Sequence, residues 1–162
     1  MGIGQKPPCG SFSSVHTSFF LYQQLQHSKD DSIAAIAEKS LKEVSYHLRW
    51  SAEWVIRLGD GTEESHSRIE NALADLWPYT GELTSPATYE VSLTEQGVSV
   101  NPDSFKEEWM AKVSEVFHQA YLKVPENGWM QSGGKNGAHT EQLGYILAEM
   151  QYLQRMYPGN EW

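Results

Sequence analysis

Three carboxylate–imidazole pairs stand at spacings that a helix can turn into chemistry. "EESH" sets Glu63 three residues before His66, and "EVFH" sets Glu115 three before His118. On a helix that step puts both side chains on one face, about a turn apart. Two such strings, with a Glu from each of two further helices, are what a bundle needs to cage a pair of metal ions. A third pair, Glu43 and His47, is four residues apart, which also shares a face.

Helix phase sorts these pairs. Phe105, Trp109, Val113, Val116, Phe117 and Ala120 set one buried face. At ~100° per residue, Glu115 and His118 fall on the other side, toward solvent or a partner. Glu63 follows the capping residue Thr62, in the first turn, where a carboxylate favours the helix dipole. It points away from Ile69, Leu73 and Leu76. Only the third pair is expected to point inward, with His47 within an apolar face and Glu43 at its edge. A buried histidine satisfied by a nearby carboxylate is the plain reading, and a partial metal site is the other. The inward carboxylates are too few for a complete cage.

The stretch "SGGKNGAHTEQLGYILAEMQYLQRMYPGNEW" carries different possibilities. Gly133, Gly134 and Gly137 permit tight turns, and Lys135 adds a positive charge beside them. Amides at a helix start attract anions, so a phosphate contact is one option. Glu141 already occupies the position favoured by the dipole, so the simpler expectation is that His139 and Glu141 cap the helix. Within that helix Leu143, Ile146, Leu147, Met150 and Leu153 form one apolar stripe. Tyr145, Tyr152 and Met156 form a second, of residue types favoured in interfaces. One stripe is expected to serve the core; the other is either covered by loops or docks on a partner.

The elements that must position these residues read as helices. A first helix is expected over Ser13–His27. Asp30 or Asp31 can cap a second, from Ser32 to Leu58, ended by Gly59-Asp60-Gly61. Its Ile33, Ile36, Ala37, Leu41, Val44, Leu48, Val55 and Leu58 recur at three and four residues. Tyr46, Trp50 and Trp54 make a second apolar flank, so this helix is expected inside a bundle. A third helix is expected from Thr62 to Trp77. The alternation of Tyr89, Val91 and Leu93, with Val98 and Val100 beyond Gly97, suggests a short β-hairpin. Ser104 with Glu107 forms a capping-box pattern opening a fourth helix to Lys123. The last helix is expected over Thr140–Tyr157. Residues 1–12 are expected to be irregular and 13–162 to form one helical bundle domain.

Bulk properties narrow the function. The net charge is −9, with 12 basic and 21 acidic residues, and there is no basic run, which argues against nucleic acid as a partner. No apolar run approaches the ~20 residues that span a bilayer. The start has no secretory pattern. Cys9 is the one cysteine, so no internal disulfide forms; this fits a reducing cytoplasm.

The strings "KSLKEVSYHLRWSAEWVIRLGDGTEESHSRI" and "GGKNGAHTEQLGYILAEMQYLQRMYPGNEW" resemble the C-type (PaaC-type) subunits of bacterial phenylacetyl-CoA epoxidases. "LWPYTGEL" and "VSLTEQGVSVNPDSF" are similar as well, so the resemblance runs from about Leu21 to Trp162. It implies an all-α, ferritin-like helical bundle, here with the small hairpin inserted. It implies a cytoplasmic, non-catalytic subunit holding no metal, in which Glu43 and His47 are a pseudo-site. The implied partners are a PaaA-type catalytic subunit with a di-iron centre, and the other epoxidase subunits. Such a complex uses O2 and electrons from NADPH to epoxidise the ring of phenylacetyl-CoA. Lys135, His139, Glu141, Tyr145, Met150 and Tyr152 become candidates for contact with CoA or the partner. The front departs from the pattern: such subunits begin with about two further helices, which the bundle needs to close its core. The chain is therefore expected to be truncated, with apolar faces left bare on its second and last helices. An iron-binding ferritin-like oxygenase in its own right, using Glu43, His47 and one Glu-x-x-His pair, is the alternative. A helical scaffold or decayed fragment without an oxygenase partner is another.

Overall fold

The computed structural model describes residues 9–126 and 128–161, except the side chains of Cys9 and Ser11. The chain divides into two units, Met1–Gln131 and Ser132–Trp162. The described residues are all-helical, with no strand among them.

In the first unit, α1 (Cys9–Leu25) is followed by the long α2 (Asp31–Gly59) and by α3 (Glu63–Leu76). The start of α1 at Cys9 precedes the expected Ser13. The expected irregular segment lies outside the described residues as far as residue 8. Asp30 caps α2, its Oδ1 accepting from the amides of Ser32 at 2.9 Å and Ile33 at 3.1 Å. Thr62 Oγ1 accepts from Ser65 N at 3.2 Å and so starts α3, as its position in the sequence suggests. The link between α1 and α2 is pinned from outside: Ser28 Oγ donates to Val98 O at 2.7 Å, and Lys29 N donates to Gly97 O at 2.9 Å.

The expected hairpin is instead a helix, α4 (Thr88–Glu95), closed by a turn at Gly97 with φ +74°. Glu90 Oε2 accepts from Ala87 N at 2.7 Å and so fixes the first turn. The backbone takes its bonds within the segment, with Val91 N donating to Ala87 O and Gln96 N to Ser92 O. The Ser104–Glu107 capping box does not form either. Ser104 Oγ donates to Asn101 O at 2.7 Å, and a 3-10 turn (Pro102–Phe105) leads into α5 (Lys106–Gln119).

The core is aromatic and lies where α1, α3 and α5 meet α2. Phe12, Val55, Ile69, Leu73, Trp77, Trp109 and Phe117 are all buried. The Trp77 ring lies 6.3 Å from Trp109 and 6.1 Å from Phe117. Only one flank of α2 joins this core, through Ala37, Ser51, Val55 and Gly59. The flank of Tyr46, Trp50 and Trp54 is exposed, contrary to the expectation of a helix covered on both sides.

In the second unit the expected single last helix is two, α6 (Gln142–Met150) and α7 (Tyr152–Met156), separated at Gln151.

Candidate functional site

His47 does not point inward. Its neighbour Leu48 is half-buried and Ser51 and Val55 are fully so, and one residue's step of ~100° turns His47 away from them. The His47 side chain is 50% exposed and that of Glu43 79%. His47 Nε2 and Glu43 Oε1 stand 3.8 Å apart, a loose surface pair.

The other two pairs are occupied separately. His66 Nδ1 lies 2.7 Å from Gly59 O, which ties the start of α3 to the end of α2, while Glu63 is exposed. Glu115 Oε2 accepts from Lys112 Nζ at 2.7 Å, and His118 is exposed. Among the described residues, no three of His, Cys, Asp and Glu converge on a point where a metal ion could be held. This donor set does not fit a two-metal cage, because its pairs lie on three helices and no three of its members come together among the described residues.

One imidazole that the sequence pattern did not single out is buried. His16 on α1 is fully covered, and neither ring nitrogen has a hydrogen-bond partner. Its ring stacks on Phe20 at 5.1 Å and sits 5.4 Å from Phe12. Burial lowers its pKa from 6.5 to about 4; the Lys112 charge adds to the fall and Glu115 opposes it. A groove of about 500 Å³ beside it is lined by Phe19, Phe20, Leu48, Lys112 and Glu115. Since both nitrogens are covered, His16 meets the groove as an apolar ring. The spacing Phe12–His16–Phe20, every four residues along α1, is the signal that marks it.

In the second unit, the glycine loop closes on itself. Gly133 and Gly137 hold left-handed backbone, with φ +99° and +87°. The amides of Asn136 and Ala138 donate to Gly133 O, and that of Gly137 donates to Gly134 O. These amides are therefore not available to a phosphate. Lys135 is half-buried in this turn, and His139 is exposed. Glu141 takes the cap position of α6 but makes no side-chain capping bond, so the expected cap is absent. Tyr145, Ile146, Leu147, Met150, Tyr152, Leu153 and Met156 are all exposed. Of the expected core stripe only Leu143 is half-buried, and its other members are exposed like the docking stripe.

Residues 12–162 match the model of a family described as phenylacetic acid catabolic protein. The chain belongs to the phenylacetic acid catabolic protein family. Within this family it is similar to the C-type subunit of the 1,2-phenylacetyl-CoA epoxidase of Escherichia coli (strain K12), with 43% identity over 142 residues. That alignment covers 88% of this chain and 57% of the relative, so the chain spans little more than half of that protein's length. The family match takes in both units, and with them the bare helices of the second. Among the described residues no helix is long and apolar enough to cross a membrane.

Proposed function

We propose that this chain is a non-catalytic, structural subunit of a multicomponent phenylacetyl-CoA epoxidase serving aerobic phenylacetate breakdown in the cytoplasm. The observation that carries this reading is the 43% identity, sustained over 88% of the chain, to a C-type subunit of such an enzyme. In this role it forms part of a ferritin-like bundle and buttresses a PaaA-type catalytic subunit, which holds the di-iron centre. The dispersal of its own Glu–His pairs supports a non-catalytic role. The exposed Tyr145, Met150 and Tyr152 supply apolar area for docking, and a CoA thioester lies near that contact.

The test is co-purification of the tagged chain with an untagged PaaA-type subunit, followed by size-exclusion chromatography and metal analysis of each component. Co-elution at a fixed ratio, with iron following the partner, is the expected result. A chain that elutes alone and carries about two irons of its own would instead make it an oxygenase in its own right.

A further inference from the structure

The glycine loop of the second unit places an amide side chain beside an unhindered peptide nitrogen. Asn136 ends a 3-10 turn (Gly134–Asn136), and Gly137 follows it in left-handed backbone. Both residues are exposed. A Cβ built on Gly137 would meet open space, so nothing crowds the Asn136–Gly137 peptide from outside. The turn buries none of its residues, and the Gly137 amide is held only by Gly134 O at 3.1 Å. A short exposed turn of this kind opens at little cost.

We propose that Asn136 is a site of spontaneous deamidation. The Gly137 nitrogen, released from Gly134 O, attacks Cγ of Asn136. The N–Cγ bond forms, the Cγ–Nδ2 bond breaks, and the nitrogen's proton leaves with the side-chain amine as ammonia. Water then opens the five-membered imide at either carbonyl. One opening gives aspartate. The other gives isoaspartate, whose main chain runs through the former side chain and is one carbon longer. Nothing is oxidised or reduced, and water is the co-reactant. Glycine favours the closure, because it has no Cβ to obstruct the ring and the freest backbone. The other asparagines lack these conditions. Asn71 lies within α3, and the next residue, Ala72, is buried. Asn101 precedes Pro102, whose nitrogen has no proton to lose, and its Oδ1 accepts from Asp103 N at 3.0 Å. Asn160 precedes Glu161, whose side chain hinders the attacking nitrogen. Asn127 also precedes a glycine but lies outside the described residues. Either product at residue 136 adds a negative charge next to Lys135. Isoaspartate also changes the spacing that brings Ala138 N to Gly133 O at 2.8 Å, so the loop ahead of α6 loses its closure.

Ageing of the full chain tests this. The protein is incubated at mildly alkaline pH, folded and in guanidinium chloride, and its peptides are followed by mass spectrometry. In the folded chain a gain of ~1 Da is expected at Asn136. It should appear at least roughly tenfold faster than at Asn71, Asn101 or Asn160, and within about tenfold of its own rate in guanidinium. Fragmentation of the modified peptide should show isoaspartate beside aspartate, the signature of the imide. Asn136→Gln keeps the amide but needs a larger ring, and it should abolish the gain at this position. Folding that slows Asn136 by more than about tenfold overturns the proposal, because the turn then holds the amide. So does a folded chain in which Asn136 converts no faster than Asn71, or a product that is aspartate alone.

Discussion

Gly59 packs so closely on Ala120 that a Cβ at residue 59 would lie 2.2 Å from the Ala120 carbonyl oxygen. The end of α2 and the end of α5 meet backbone to backbone at this point. His66 Nδ1 meets the Gly59 carbonyl at 2.7 Å, so α3 is anchored there too. Three helices depend on one missing methyl group.

Gly59→Ala is expected to destabilise the first unit by about 2–3 kcal/mol, because the obstacle is a carbonyl and not a flexible side chain. Thermal unfolding followed by circular dichroism checks this. An unchanged midpoint would mean that α2 and α5 separate at little cost.

His16 makes stability depend on pH. Above pH 6.5 it is neutral folded or unfolded. Between 6.5 and about 4 the unfolded chain binds a proton that the folded chain refuses. Stability is thus complete above 6.5 and is lost as pH falls toward 4, by up to roughly 3 kcal/mol. His16→Phe keeps a ring among Phe12 and Phe20, and it removes two buried nitrogens that lack partners. It should stabilise the fold by about 1–2 kcal/mol at neutral pH and flatten the acid limb between 6.5 and 4. Urea unfolding at several pH values measures both effects.

Asp30→Ala removes the acceptor for two amides at the start of α2. A cost of about 1 kcal/mol is expected, with Asp30→Ser largely restoring it. Equal losses for both variants would show that the cap bond contributes nothing and that tertiary contacts hold this end.

The frame of the first unit was legible where pattern and punctuation agreed. α2 combined a long three-and-four repeat with Asp30 before it and Gly59 at its end. Residues 88–95 were misread because Tyr89, Val91 and Leu93 alternate over too few residues to separate a strand from a helix turn. The deciding bond, Glu90 to the Ala87 amide, is one acidic side chain within that alternation. His47 falls outside the buried face because the neighbouring flank of Tyr46, Trp50 and Trp54, apolar by composition, is exposed. His16 is hard to find from sequence because histidine ranks as a polar residue, even in the four-residue repeat Phe12–His16–Phe20. The apolar stripes of residues 140–157 assume one continuous helix, and nothing in them reveals the break at Gln151 or that no residue of either short helix is buried.

Charge on the second unit tests the docking role. Met150 is 70% exposed and Tyr152 56%, so a lysine at either position meets solvent in the free chain. Met150→Lys and Tyr152→Lys are therefore expected to leave helix content and the unfolding midpoint unchanged within about 0.5 kcal/mol. Buried against a catalytic partner, the same lysine would be an unpaired charge, and association should weaken at least roughly a hundredfold. Circular dichroism of the free variants and co-elution with the PaaA-type subunit separate the two effects. Folded variants that still co-elute at the wild-type ratio would move the contact off these helices. Variants that no longer fold would place these side chains in a core.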